Sequence, residues 1–177
     1  MRIIAGEARG RRLLTPAGSK TRPTADRVRE AIFNVIGSRI IGANVLDAFA
    51  GSGAMAIEAL SRGARDAALI EIDKAAQQAI RTNLDEVKLG GRLYCGDALR
   101  IVSRFKEPFD IIFLDPPYNK GLVEKSIDKL LALGLIGDTT LIVAELDAKA
   151  EPVLPAGLQI SKISKYGDTA VYYCERK

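Results

Sequence analysis

The chain has 177 residues, 26 of them Lys or Arg and 22 Asp or Glu, for a net charge of +4, with two cysteines and neither tryptophan nor histidine. This length predicts one domain that buries roughly 70% of the surface its unfolded chain exposes. The absent histidine excludes Ser-His-Asp and Cys-His nucleophiles, the HExxH zinc helix and His-relayed proton chemistry. Cys95 and Cys174 form no CxxC pair, so neither a zinc site nor a disulfide scaffold is expected and no metal is assigned.

Met1 to Gly10 lacks the apolar core and small-residue cleavage site of a secretory signal, and no apolar run approaches the roughly 18 residues of a membrane span. A soluble, cytoplasmic protein is expected. Residues 1–40 carry nine basic and three acidic residues, a net +6, while the rest of the chain nets −2. Eight of the nine are arginines, which bind phosphate bidentately and stack on bases better than lysine does. Residues 1–40 are therefore read as a basic extension for nucleic-acid contact and 41–177 as the main domain, against the plainer reading of a solvated, charged surface.

Arg2-Ile3-Ile4 and Arg12-Leu13-Leu14 flank the Gly6 to Gly10 turn as a short hairpin, and Thr15 to Ser19 reads as loop. From Thr24 as N-cap, Val28, Ala31, Ile32, Val35 and Ile36 follow a helical stripe that Gly37 ends, with Arg27, Arg29, Glu30 and Asn34 on the opposite face. Beyond it, strands are expected at Asn44–Phe49, Ala67–Ile72, Leu93–Cys95, Phe109–Leu114 and Leu141–Ala144. Helices are expected at Ala54–Arg62, Lys74–Val87, Ala98–Arg104 and Leu122–Leu133. This alternation predicts an α/β fold with a parallel sheet covered by helices on both faces. The last segments, Leu158–Lys165 and Thr169–Glu175, read as an antiparallel hairpin around Tyr166-Gly167-Asp168.

The first strand of the alternation runs into Asp47-Ala48-Phe49-Ala50-Gly51-Ser52-Gly53, where glycines let backbone approach a ligand at a helix N-terminus. Gly51 to Ala56 satisfies a GxGxxG/A dinucleotide fingerprint, and Glu71 stands about 20 residues on, where a carboxylate meets a ribose hydroxyl. A nicotinamide dehydrogenase thus stays in view. Asp47, however, would repel a pyrophosphate and attract the ammonium of an amino-acid moiety, and Asp97 can accept a hydrogen bond from an adenine amine. Three strand-end carboxylates around a glycine turn suit S-adenosylmethionine. The plainer readings are a turn carboxylate for Asp47 and a helix cap for Asp97, and capping is compatible with ligand contact.

Phe109 to Leu114 leads directly into Asp115-Pro116-Pro117-Tyr118. Ligands bind beyond the carboxyl ends of strands in open α/β sheets. Two prolines stiffen the turn and donate no hydrogen bonds. An Asp115 oxygen and the Pro116 carbonyl together can accept both hydrogens of an exocyclic amine and aim its lone pair at an electrophile. Tyr118 can stack on the base. A Pro-rich turn with Tyr packed over the core is the plainer reading.

The glycine turn, Glu71, Gly96-Asp97 and Asp115-Pro-Pro-Tyr118 resemble the motifs of class I S-adenosylmethionine-dependent methyltransferases acting on nucleobase amines. Arg2-Ile-Ile-Ala-Gly6, Gly10-Arg-Arg-Leu13, Arg22-Pro-Thr24 and Arg29-Glu-Ala-Ile-Phe-Asn34 narrow the resemblance to the bacterial RsmD family, which methylates guanine N2 in 16S ribosomal RNA. The resemblance implies a Rossmann-like, seven-stranded mixed sheet. It further implies that Asp47, Phe49, Ala50, Gly51, Ser52 and Gly53 hold the cofactor's methionine end, Glu71 and Ile72 its ribose, and Asp97 and Ala98 its adenine. Asp115, Pro116, Pro117 and Tyr118 would then hold the guanine. With the charge asymmetry, it assigns Arg9, Arg11, Arg12, Arg22, Arg27, Arg29 and Asn34 to RNA. The expected partner is 16S rRNA, within an assembling small subunit, and the expected state a monomer. Residues 146–165 receive no role. A DNA adenine methyltransferase and a non-catalytic RNA-binding assembly factor are the alternatives. The first would need a target-recognition insertion for which the chain has little room; the second would tolerate loss of Asp115.

Overall fold

The computed structural model describes residues 1–16, 26–117 and 121–177, so Arg22, the Thr24 cap and Tyr118 lie outside the described residues. Seven strands form one sheet: β1 (Asn44–Asp47), β2 (Asp66–Glu71), β3 (Arg92–Cys95), β4 (Phe109–Leu114), β5 (Ile136–Asp147), β6 (Leu158–Tyr166) and β7 (Thr169–Arg176). Their order is β3-β2-β1-β4-β5-β7-β6. The first five are parallel, and β7 lies antiparallel between β5 and β6. The seven-stranded mixed sheet and the terminal hairpin are both as expected. The order reverses between β1 and β4, and a crevice opens at such a switch point.

Helices α1 (Asp26–Ile36), α2 (Ala54–Ser61) and α3 (Lys74–Val87) cover one face, and α4 (Ala98–Ile101) and α5 (Leu122–Ala132) the other. Side chains alternate between faces along a strand. Val45, Leu69, Phe113 and Val143 accordingly meet Ile32, Phe33 and Ile36 of α1, while Leu46, Ile70, Ile112 and Ile142 meet Ile101, Val123 and Ile127. The basic first quarter of the chain is thus fastened into the core through α1. α3 spans the residues its periodicity predicts, opened by Asp73, whose side chain accepts from Ala76 N at 2.8 Å.

Four local expectations change. The N-terminal hairpin is reduced to one ladder bridge, Arg2 with Arg12, its arms joined by backbone bonds from Ile3 N to Arg11 O at 3.0 Å, Gly10 N to Ile3 O at 2.8 Å and Leu13 N to Met1 O at 3.1 Å. Its apolar residues Ile3, Ala8 and Leu13 pack instead on Ala54 and Ile57 of α2 and Val87 of α3. The helix expected over 98–104 ends at Ile101 and continues as one 3-10 turn. β1 stops at Asp47, two residues early, where the glycine turn begins. β5 extends well beyond Leu141–Ala144, because Gly137 to Thr140 interrupts the apolar signal of a strand already paired at Ile136 with Phe109.

Candidate active site

A cleft of about 900 Å³ opens beyond the carboxyl ends of the parallel strands. Asp47 ending β1, Glu71 ending β2, Asp97 after β3 and Asp115 after β4 all line it, as do Phe49, Ala50, Gly51, Ser52, Ile72, Ala98, Pro116 and Pro117. The sequence motifs therefore converge on one space.

The glycine turn is held from three sides. Gly51 (φ 54°) donates its N–H to Glu71 Oε2 at 2.8 Å. Gly53 N donates to Ala50 O at 2.7 Å. Asn83 of α3 donates to Ser52 O at 2.9 Å and exchanges two further hydrogen bonds with Leu14, so the turn and the N-terminal arm share one buried amide. Gly53 differs from its neighbours Ser52 and Ala54 in standing behind the cleft wall. At φ 81° it opens α2, and a Cβ there would sit 3.0 Å from Leu69 Cδ2, so its role is close helix–sheet packing.

Asp47 is 3% exposed, and its Oδ2 accepts from Ala56 N at 3.3 Å. Burial pushes its carboxyl up to about 7, with a further rise from the charge of Glu71; donors at Ala56 and Phe49 oppose the shift without cancelling it. Glu71 Oε1 accepts from Ile72 N at 2.8 Å and Asp73 N at 2.7 Å, so this carboxylate braces the glycine turn and its own strand end together. Asp97 does cap its helix, accepting from Arg100 N at 3.0 Å with Oδ1.

Asp115 keeps access to the cleft's solvent, yet the cleft walls surround it. That surrounding, then the charges of Glu145 and Asp47, raise its carboxyl well above the ordinary range. Pro116 is buried and Pro117 exposed, both on the cleft wall. Glu145 itself lines the cleft and received no assignment from sequence, although the rule that found Asp47 and Glu71 applies to it: it is the carboxylate directly after an apolar strand run.

Arg9, Arg11, Arg12, Arg27 and Asn34 are exposed on the N-terminal segment. Arg29 is a correction. It is 0% exposed, 3.7 Å from Glu58 Oε2 on α2, and donates to Asp26 at 3.2 Å and to the Arg2 carbonyl. Glu58, equally buried, accepts from Ile4 N at 2.8 Å, Ala5 N at 3.0 Å and Arg62 Nε at 2.7 Å. Buried carboxylates require cationic partners, so the stripe that reads as a solvent face turns Arg29 inward. Among the described residues no three His, Cys, Asp or Glu side chains converge to hold a metal ion, and no helix is long and apolar enough to cross a membrane.

The family model described as Conserved hypothetical protein 95 matches residues 1–175. Ribosomal RNA small subunit methyltransferase D of Escherichia coli K12 is 39% identical over 179 residues, covering 100% of this chain and 90% of that protein. The putative rRNA methyltransferase YlbH of Bacillus subtilis is 37% identical over 177 residues, covering 97% and 96%. Among solved structures, the putative methyltransferase yhhF from E. coli superposes with TM-score 0.90 at 39% identity, over 100% of this chain and 98% of that one. A putative RNA methyltransferase from Pyrococcus horikoshii, at 20% identity and TM-score 0.72 over 93% of each chain, shares the fold.

Proposed function

The chain belongs to the RsmD family of ribosomal RNA methyltransferases, with the Rossmann-like fold of class I enzymes, and on that footing we propose that it methylates the exocyclic N2 of a guanine in 16S rRNA, with S-adenosylmethionine as methyl donor. The observation that carries this reading is the juxtaposition of two half-sites in one cleft: Asp115 and Pro116 beside the glycine turn with Asp47 and Glu71.

The residues present fit the cofactor. Asp47 is a buried carboxylate whose ionised form calls for a cation, as the cofactor's ammonium would supply. Three backbone N–H groups occupy the oxygens of Glu71, leaving Oε2 one lone pair for a ribose hydroxyl. Asp97 holds its cap with Oδ1 and retains Oδ2 for an adenine amine. When bound, S-adenosylmethionine supplies a methyl group made electrophilic by its sulfonium sulfur.

The chain's own part is orientation. Asp115 and the Pro116 carbonyl accept the two N2 hydrogens and turn the nitrogen lone pair out of the ring, and the stiff Pro-Pro backbone fixes that geometry. Holding reactants in line can lower a barrier by roughly 7–11 kcal/mol, so no titrating histidine is required. The proton shed by the methylated amine passes to Asp115. The guanine must leave its stack to enter the cleft.

Incubation with labelled cofactor and small subunits from cells lacking the native enzyme tests the reading. Label in N2-methylguanosine supports it; N6-methyladenosine, or no label, overturns it. With substrates saturating, Asp115→Asn should lower turnover roughly 10²–10³-fold while still binding cofactor. Near-wild-type turnover would remove Asp115 from the chemistry.

A further inference from the structure

Guanine presents three groups in a row along its Watson–Crick edge: the O6 acceptor, the N1–H donor and the N2 amine. If Asp115 and Pro116 hold the amine, the N1–H beside it still needs an acceptor, because a donor withdrawn from water is found paired in all but rare cases. The structure supplies one from the next strand. β4 and β5 run parallel with Leu114 paired to Ala144, so Asp115 and Glu145 follow that pair at one level on adjacent strands.

They also share a face. Phe113 and Val143 sit in the same core cluster, and the next residues of that parity are Asp115 and Glu145. Both line the cleft, and Glu145 carries one more methylene than Asp115, which extends its reach along the base edge. The charge of Glu145 registers at Asp115, consistent with their proximity.

We propose that Glu145 accepts the N1–H of the target guanine while Asp115 and Pro116 hold its N2 amine, making Glu145 the residue that selects guanine. This rests on the guanine-N2 reading above. Adenine turns a bare, electron-rich N1 toward the same position, where a carboxylate repels it and neither group finds a partner. A site built to accept a hydrogen bond rejects an analogue lacking the donor by far more than shape alone achieves.

The test uses 2-aminopurine, which keeps the exocyclic 2-amine but carries no hydrogen on N1. Small subunits are reconstituted with rRNA bearing guanine or 2-aminopurine at the target nucleotide, and kcat/KM for methyl transfer is compared between the two. Wild type should prefer guanine by at least about 100-fold. Glu145→Gln presents an amide that can turn its NH2 to the bare N1, so its preference should fall below about tenfold; Glu145→Ala should lose much of the preference too. Both variants are first titrated with S-adenosylmethionine. An unchanged guanine preference in a variant that binds cofactor overturns the proposal, and so does loss of cofactor binding in both, which would assign Glu145 to the fold. If wild type fails to methylate guanine at N2, it is the underlying reading that falls, so the two failures are distinguishable.

Discussion

Asp47 sits among apolar strand neighbours at 3% exposure, and burial alone accounts for most of the rise of its carboxyl to about 7. A cationic ligand binds the ionised form. Below pH 7 the proton must first be removed, so S-adenosylmethionine should bind about tenfold more weakly at pH 6 than at pH 8, as measured by calorimetric titration. The same shift acts on folding with the opposite sense. The folded state holds a proton that the unfolded chain, with its carboxyl at 3.8, releases, so cofactor-free stability from this group declines as pH rises from about 4 to 7. Asp47→Asn should flatten both profiles; a retained tenfold change would place the titrating group elsewhere. Asp47, Glu71, Asp97 and Asp115 were legible because each stands at the end of a strand-like run, Asp47 before the glycine turn, Asp97 after Gly96, Asp115 before the proline pair and Glu71 about 20 residues beyond the glycines. Asn83 was not, since its three hydrogen bonds join Ser52 and Leu14, partners tens of residues away that no local pattern connects. Arg29 was misread for the same reason: its burial is dictated by Glu58, which lies on another helix.

The N-terminal arm is held on α2 by that carboxylate. Glu58 accepts from the backbone of Ile4 and Ala5, and Ser61 accepts from Ala8 N at 3.0 Å while donating to Ala5 O at 2.6 Å. Gly6 lies so close that a Cβ would fall 1.7 Å from the Ser61 carbonyl oxygen, at φ 84°. Glu58→Ala would leave the buried Arg29 with only the half-exposed Asp26 as a carboxylate partner and would free two backbone donors. A loss of about 3–5 kcal/mol in denaturant unfolding is expected, together with faster proteolysis of residues 1–14. A loss under about 1 kcal/mol would mean that the clip is not what fastens the arm. Among the elements, α3 and β4 were fully legible because a cap and a continuous apolar stripe or run define them. β5 was half legible because polar residues interrupt it, and the N-terminal hairpin was legible as a turn with paired arms but not in its anchorage, because it is packed on α2 and α3 by residues far away in sequence.

At the scale of the molecule, the net +4 is the sum of a +6 first quarter and a −2 remainder, eight of whose carboxylates line the cleft. The arm's position gives that split a direction. Residues 1–14 pack on α2 and α3, and Met1, Thr15 and Pro16 reach the rim of the cleft, so the arm that carries the exposed arginines is continuous with the site. RNA phosphates gripped there release counterions, and log affinity should fall linearly with log salt, by about 0.7–0.9 per phosphate neutralised. Arg11 already donates to the Glu86 carbonyl at 2.6 Å near the end of α3, so reversing its charge would disturb the arm as well as the RNA. Arg9 and Arg12 make the cleaner pair, both exposed. R9E/R12E should weaken RNA binding and reduce the salt slope by about one to two, with cofactor affinity unchanged, in filter-binding titrations between 50 and roughly 300 mM salt. An unaltered slope would move the RNA-binding surface off the arm, leaving Arg22 and, on α1, Arg27 and Asn34 as the residues assigned to carry it.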